Sequence, residues 1–412
     1  MGKKIIKAPN LKAKREITVT VLPEDIEALK DEITKIYRKK AKVKGFRPGK
    51  APMSVVYKLY ENEIIEDAKE EAIRKRVLGE VEKTQEDVVS QIYIKEQKEN
   101  EDGSITVVCE YDVMPTFDMP NLSQIKVEKR IKKVLESDID EEVEKLRKQF
   151  AKYVPVDEKA QEGLYLLVNY EDRLDGKLIK KQDKGLLHLK WDEMNPDLFE
   201  LFVDKGKGDT VVFEQEVDLK DGKKAKLVRK YEIVEVLKEE LPELNDEFAR
   251  TLEFENLEKL REEIAERLRK SNESKAEDDL EWTIIKEIYE RINFELPESM
   301  VRNSYVFTLR SMGYEKEPED ENLRQAIYKL AEDLVKREII LDRFADIEGI
   351  EIQDEELKEE IEKRAKEYNM SPEKYKRELK KRGELDGLKN VMRRRKAMEM
   401  IKKLVNVEVI LE

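Results

Sequence analysis

Apolar residues recur with two different periods along this chain, and the switches between them mark its parts. Ile17 to Leu22 (ITVTVL) is rich in β-branched residues and reads as a strand. Pro23 then opens a helix with Ile26, Leu29, Ile33 and Ile36 on one stripe. Pro52 opens a second, with Val56, Leu59, Ile64 and Ala68 facing one way. Strand patterns return at Val88–Ile94 and Ser104–Val113, where Ile105, Val107, Cys109, Tyr111 and Val113 alternate, and Glu101-Asp102-Gly103 is the turn between them. Residues 1–114 therefore predict a β-α-α-β-β module, closed by Met114-Pro115.

A connector at 115–150 follows. Its Ser137-Asp138-Ile139-Asp140 is like a capping box, ahead of a helix with Ile139, Val143, Leu146 and Phe150 on one face. Period two resumes over 151–240: Leu164–Tyr170, Thr210–Phe213 and Leu227–Val236 read as strands, and Leu174-Asp175-Gly176-Lys177 as a hairpin turn. Beyond Pro242, in residues 241–412, the pattern is helical. Residues 256–292 suffice for a helix of about 55 Å at 1.5 Å per residue, striped by Leu257, Leu260, Ile264 and Leu268, with a break expected near Ser271-Asn272. Pro297 starts a helix bearing Val301, Tyr305, Leu309 and Met312, and 321–346, 353–368 and 372–405 supply further helices. The absence of tight heptads predicts a spread bundle rather than a coiled coil. The expected fold class is multidomain α+β: an α+β module, a small β-rich domain, and an all-α C-terminal body with arms.

A chain of 412 residues suits two to four domains. Charged residues reach 43%, well above the usual quarter, and Lys and Glu dominate, a bias like that of heat-adapted proteins. The single cysteine excludes an internal disulfide framework and suits a reducing compartment. The opening Met1-Gly2-Lys3-Lys4-Ile5-Ile6-Lys7 lacks the apolar core of a signal peptide. No apolar run approaches the ~20 residues of a membrane span. A cytoplasmic protein without a membrane partner is expected.

Charge changes this picture at one place. The formal net charge is -13, yet residues 38–50 carry Arg38, Lys39, Lys40, Lys42, Lys44, Arg47 and Lys50 and no acid. A positive tip on a negative body is an address for a polyanion. Phe46 sits inside the tip, between Gly45 and Arg47-Pro48-Gly49, where turn residues display it rather than bury it. The plain alternative, a solvated basic loop, stays open at this point. The stretch also imitates a phosphate-binding loop, but Gly45 to Gly49 is one residue short of Gly-x4-Gly-Lys-Ser/Thr and Ala51 stands in place of the hydroxyl. No nucleotide or other cofactor is expected.

The remaining chemistry is sparse. His188 is the only histidine, so it reads as structural or exposed, a Cys109–His188 dyad would have to bridge two domains, and no metal site is expected. Cys109 reads as a core thiol. Arg393-Arg394-Arg395-Lys396 reads as a solvated helix face or helix-end charge rather than a nucleic-acid site. Met300, Val301, Tyr305, Phe307, Met312 and Tyr314 crowd one helical arm. Core packing between helices and an adaptable patch for unfolded polypeptides both fit them.

Three stretches resemble the bacterial trigger factor family of ribosome-associated chaperones: Gly45-Phe46-Arg47-Pro48-Gly49-Lys50-Ala51-Pro52, Pro242-Glu243-Leu244-Asn245-Asp246-Glu247-Phe248, and Ile350 through Ala397. The order of modules is similar as well, so the resemblance covers essentially the whole chain. It implies a docking domain at 1–114, a connector at 115–150, an FKBP-like peptidyl-prolyl isomerase lobe at 151–240, and a helical body at 241–412 whose arms enclose a cradle. It further implies docking beside the ribosomal exit tunnel, on a ribosomal protein and ribosomal RNA, and sheltering of nascent and unfolded polypeptides without ATP, in protein folding and export. A homodimer away from the ribosome is left open. Gly45, Phe46, Arg47, Pro48, Gly49 and Lys50 take the docking role by direct match, with Arg47 and Lys50 meeting phosphates.

The isomerase lobe departs from the family. Gly163, Tyr170 and Asp175-Gly176 fall where the family has Gly, an aromatic and Asp-Gly. Asn169 replaces the usual Asp, however, the family's Ile-Pro-Gly-Phe reads Asn195-Pro196-Asp197-Leu198, and the flap at Val217–Gly222 is short. The remnant pocket candidates are Tyr170, Trp191, Pro196, Phe199 and Phe202, with weak isomerase activity expected. Two other classes compete with the chaperone: a protein whose main activity is prolyl isomerisation, and a nucleic-acid-binding or scaffold protein.

Overall fold

The computed structural model describes residues 10–40, 42–47, 49–218 and 224–412. In chain order the elements are β1 (Lys14–Val21), α1 (Pro23–Lys40), α2 (Met53–Leu59), α3 (Glu61–Thr84), β2 (Tyr93–Glu99), β3 (Ile105–Asp112), β4 (Lys126–Ile131), α4 (Glu136–Gln149) and β5 (Lys152–Pro155). Next come β6 (Tyr165–Leu174), β7 (Lys177–His188), α5 (Pro196–Phe202), β8 (Thr210–Asp218) and β9 (Lys224–Glu240). The helical region has α6 (Asp246–Thr251), α7 (Leu257–Ile292), α8 (Glu298–Ser311), α9 (Glu321–Ile347), α10 (Asp354–Glu367), α11 (Pro372–Arg382) and α12 (Leu385–Leu404), and ends in β10 (Asn406–Leu411). Two compact units result. One holds the residues up to Arg130 together with Ala276–Ile410; the other holds Ile131–Lys275 with Leu411 and Glu412. Among the described residues no helix is long and apolar enough to cross a membrane.

In the first unit, β1, β3 and β2 form an antiparallel sheet in that order. Ile26, Leu29 and Ile33 of α1, with Ile64, Ala68 and Val77 of α3, cover the face presented by Val19, Val21, Val107 and Cys109. Burial pushes the Cys109 thiol up, so it is a packed side chain and not a nucleophile. Three expectations shift. The strand expected at Val88–Ile94 lies at Tyr93–Glu99, because Val88 makes only an isolated bridge to Val113 and the Ser90 hydroxyl takes the Asp112 N–H at 2.7 Å. The helix expected from Pro52 divides at Tyr60, which rotates Leu59 into solvent while Val56 and Ile64 stay buried in separate clusters. Ile36 is also exposed, at the end of the α1 stripe.

The same unit's main core lies among the C-terminal part of α7, α8, α9 and α12, with Phe117, Ile284, Ile288, Phe294, Ile339 and Ile401 at its centre. The N-terminal module is tied to these helices through backbone groups. The Asp112 carboxylate accepts the Ser299 N–H at 2.8 Å, supplying the N-terminal cap that Pro297 has no side chain to give. Glu295 accepts the Ala13 N–H at 3.1 Å and donates its own N–H to the Leu11 carbonyl at 2.8 Å. Arg343 donates to the Phe117 carbonyl at 2.7 Å. The pair β4 and β10 was not expected. Asn406 donates to the Ile125 carbonyl and Glu412 to that of Ile131, so the two strands advance in the same direction. The helix expected over 372–405 is interrupted at Gly383, giving α11 and α12.

Arg393 to Lys396 are ion-paired along the helix, Arg393 and Arg394 largely covered and Arg395 and Lys396 still open to solvent as expected. Arg393 pairs with Asp346, Arg394 with Asp342 and Glu338, Arg395 with Glu360, and Lys396 with Glu356, so α9 and α10 neutralise the whole run. A second network surrounds Glu277, which lies 2.6 Å from Lys129 Nζ and 2.7 Å from Lys402 Nζ. Hydrogen bonds from Lys129 and Lys402 hold its carboxyl below the usual glutamate range. Its stabilising contribution is therefore present above the unfolded value of about 4.3 and is lost as pH falls through the lower folded value. Glu277→Gln is expected to cost about 1 kcal/mol at neutral pH. In urea titrations that difference from wild type should vanish in strong acid.

In the second unit, Ile139 and Val143 of α4 pack with Phe248 of α6 and with Leu260 and Ile264 of α7. Asn245 caps α6, its Oδ1 accepting the Glu247 and Phe248 N–H groups at 3.0 and 3.1 Å, which explains the order Asn245-Asp246-Glu247-Phe248. α4 begins earlier than expected, at Glu136, with Asp138 rather than Asp140 accepting the Leu135 N–H. Phe150 lies past its end and is exposed. α7 is continuous through Ser271-Asn272: the Asn272 amide donates outward to the Lys132 carbonyl at 2.8 Å and leaves the helical ladder intact.

The β-rich lobe is an antiparallel sheet in the order β5-β9-β6-β7, with β8 also paired to β9. α5 covers one face through Leu198, Phe199 and Phe202. The strand β7 was signalled only by the hairpin turn ahead of it, because its first residues, Leu178 and Ile179 included, are exposed on both faces and show no alternation of burial. The short flap expected at Val217–Gly222 lies largely outside the described residues.

Candidate functional site

The cationic tip joins α1 to α2. Its base is clamped by a small core of Val43, Ala51 and Val56, closed by Tyr37 and Tyr60, whose rings stand 5.6 Å apart. Arg38 Nε donates to the Gly49 carbonyl at 3.2 Å. Two tight turns follow, Phe46 N–H to Val43 carbonyl at 3.1 Å and Lys50 N–H to Arg47 carbonyl at 3.0 Å. Gly45 and Gly49 sit at φ +89° and +79°, where a side chain strains the backbone even though open space surrounds both. Between these hinges Phe46 is 43% exposed and Arg47 is exposed, as is Lys50 just past Gly49. Pro48 lies outside the described residues.

The loop's electrostatics differ from those of Arg393–Lys396, where every cation has a carboxylate partner. Among the described residues, Lys39, Lys40, Lys42, Lys44, Arg47 and Lys50 have no carboxylate within ion-pair distance. Unpaired cations around an exposed ring, on a backbone already in shape, are suited to binding a polyanionic surface with little loss of conformational entropy.

The six residues grouped on the helical arm divide. Val301 and Tyr305 are buried and belong to the core, because their spacing places them on the face of α8 that meets α9, and Met300 packs at the edge of the main core. This removes Val301 and Tyr305 as contacts for a client. Phe307, at 72% exposure, and Met312 and Tyr314 face solvent, where Val306 and Tyr328 join them. The sequence reading named neither: Tyr328 lies on α9, outside the helix it followed, and Val306 lies on α8 between residues it did name.

In the lobe, the pocket candidates divide: Tyr170 and Phe202 both meet the Tyr231 ring, at 5.7 and 5.2 Å, while Pro196 stands apart from them. Pro196 is the first residue of α5 and is exposed; Asn195 caps that helix by accepting the Asp197 and Leu198 N–H groups. Asn195-Pro196-Asp197-Leu198 is thus a helix start and not a proline cradle. Phe199 and Phe202 are buried core residues, while Trp191 is exposed and meets Phe199 edge-on at 5.3 Å. The Tyr170 hydroxyl donates to Gln182. Beside Tyr170 the register brings Lys180, Asp172 and Arg229 side by side, a charged row with no sequence signal because it is built from three strands. His188 stacks on Tyr165 with ring centroids 4.2 Å apart and faces Glu193, a structural arrangement. No group of three or more metal-ligating side chains occurs among the described residues.

Two family models match the chain. The one for bacterial trigger factor protein covers residues 1–146, and the one for the bacterial trigger factor C-terminus covers residues 256–403. The trigger factor of Caldicellulosiruptor saccharolyticus is 30% identical over 394 residues, covering 89% of each chain. That of Desulforudis audaxviator is 28% identical, covering 96% of this chain and 95% of its own. A solved structure concerned with promiscuous substrate recognition by the trigger factor chaperone is 23% identical, covers 98% of this chain and 99% of its own, and has a TM-score of 0.48. Alike at both ends and along nearly its whole length, the chain belongs to the trigger factor family of protein-folding chaperones.

Proposed function

We propose that this chain is an ATP-independent cytoplasmic chaperone that docks beside the ribosomal exit tunnel and shelters nascent and unfolded polypeptides. One observation carries the reading: Phe46 is exposed between Gly45 and Gly49 on a clamped loop whose cations have no internal partners. Phe46 fits an apolar notch on a ribosomal protein, and Arg47 and Lys50 fit phosphates of ribosomal RNA. Phe307, Met312 and Tyr314 supply weak, reversible apolar contacts for clients, several of which together give useful affinity. No nucleotide is needed, in keeping with Ala51 where a phosphate loop requires a hydroxyl. The module at 1–114 docks, 115–150 connects, 151–240 is the FKBP-like lobe, and 241–412 holds clients.

Cosedimentation of the full chain with ribosomes tests this reading. Pelleting is expected at low salt and should fall steeply as salt rises, because phosphate contacts release counterions. Absence of pelleting at every salt concentration refutes it. Within the lobe, the charged row beside Tyr170 opposes prolyl isomerisation, which requires a poorly solvating apolar cleft to lower a barrier of ~20 kcal/mol. Turnover of a prolyl tetrapeptide is expected to stay near the uncatalysed rate. A rate hundreds of times faster, sensitive to Phe199→Ala, would restore the isomerase as a principal activity.

A further inference from the structure

A second basic surface lies on α11, and it is built differently from the loop at 38–50. The helical period puts Lys374, Lys376, Arg377, Lys380 and Lys381 on the half of α11 turned away from Leu379, which is buried with Leu357, Ile361, Leu388 and Met392. All these cations are exposed, and among the described residues none has a carboxylate within ion-pair distance. Helices α3, α4 and α10 offset cations with an acid one turn away, as at Lys83 and Glu80, Lys145 and Glu142, and Arg364 and Glu360. In α11, Glu373 lies four residues before Arg377 and Glu378 four after Lys374, yet neither pair forms.

The helix itself gives no reason for this arrangement. Attraction to the helix C-terminus accounts for Lys380 and Lys381. Lys374 stands in the first turn, where the helix dipole repels a cation, and Lys376 and Arg377 each face a like charge four residues on. The fold thus holds together a self-repelling face that an external polyanion would relieve. Tyr368, at the end of α10, stands beside it. Its ring stacks on Tyr375 of α11, centroids 5.6 Å apart and planes 16° from parallel, and Tyr368 is 62% exposed. Tyr375 packs against the small core around Leu379, so the outer ring is held on one face and open to solvent. Cations edged by an open ring suit a single-stranded nucleic acid: phosphates meet the lysines and Arg377, and a base stacks on Tyr368. An acidic peptide presents carboxylates but no base. A membrane surface asks for apolar side chains beside the cations, and this half of α11 has none. We infer that α11 and Tyr368 form a binding surface for single-stranded RNA. The choice of RNA over DNA rests on the ribosome-docking reading; the surface itself uses none of the loop's residues.

The test follows the fluorescence anisotropy of a labelled uridine oligomer of ~12 nucleotides titrated with the full chain. Lys376→Gln/Arg377→Gln/Lys380→Gln/Lys381→Gln keeps helix propensity and is expected to bind about tenfold more weakly. The slope of log affinity against log salt should fall by about 3, since each phosphate contact on a single strand contributes ~0.7. Tyr368→Ala should lose about tenfold at every salt concentration and keep the slope, a response that a purely ionic face would not give. Three results overturn the inference: no binding of the oligomer by wild type, wild-type affinity in the quadruple variant (the outcome if the loop at 38–50 held the RNA), or equal displacement by poly-glutamate and by unlabelled RNA. Ribosome pelleting keeps the two readings apart: if it persists while the oligomer stays unbound, the α11 surface alone falls.

Discussion

Replacing Phe117 with alanine is expected to lower the unfolding free energy of its unit by about 3–5 kcal/mol. The ring is 1% exposed and stacks on Phe294, with centroids 4.8 Å apart and planes 9° from parallel. It stands where the N-terminal module meets the helices, among Ile284, Ile288 and Ile339, and its carbonyl takes the Arg343 guanidinium. Truncation leaves a cavity that rigid helices on several sides are poorly placed to fill. The check is a urea titration, in which the midpoint should fall while the slope holds. Phe307→Ala removes an equally large ring from an exposed position and is expected to change stability by no more than about 0.5 kcal/mol. Equal effects from the two would mean that the joint at Phe117 contributes no more than a surface ring.

That joint also shows where the sequence is silent. Periodicity located α1, α3, α8 and β3, because each has one apolar face whose spacing survives in isolation. It set β2 too early, because the residues of that strand are all exposed, and gave for β7 only the turn before it, because the first part of the strand is exposed on both faces. It missed β4 and β10 because two strands nearly three hundred positions apart define one another only once folded. Leu59 and Ile36 were misplaced for a local reason, a helix break and a helix end that periodicity does not register. In the loop, by contrast, Gly45, Phe46, Arg47 and Gly49 could be read directly, since turn residues and charge act at short range. The Asp172–Arg229 pair is a matter of register between β6 and β9 and had no signal in the sequence.

The second large effect falls on the loop proposed to dock on the ribosome. Phe46→Ala/Arg47→Ala is expected to weaken ribosome association about 100-fold, or ~2.7 kcal/mol. An exposed aromatic anchor and a phosphate-binding arginine are the residue types that dominate such contacts. Both face solvent, so the melting temperature should hold within a degree or two and unfolding is excluded as the cause. Single variants separate the two contributions. Arg47→Ala should flatten the dependence on salt, whereas Phe46→Ala should leave that slope unchanged and lower affinity at every salt concentration. Undiminished pelleting of the double variant at moderate salt would transfer the docking role elsewhere.

The lack of acids between Arg38 and Lys50, in a chain of net charge -13, bears on how a collision begins. Near a strongly negative particle, the chain's net charge is repelled while this loop is attracted, and the opposed forces favour approach with the loop leading. The chain is turned before it touches, so that arrivals in the wrong pose are discouraged at a distance of about one Debye length, some 8–10 Å in physiological salt. A rudder of this kind costs the fold nothing beyond leaving six cations without neighbours.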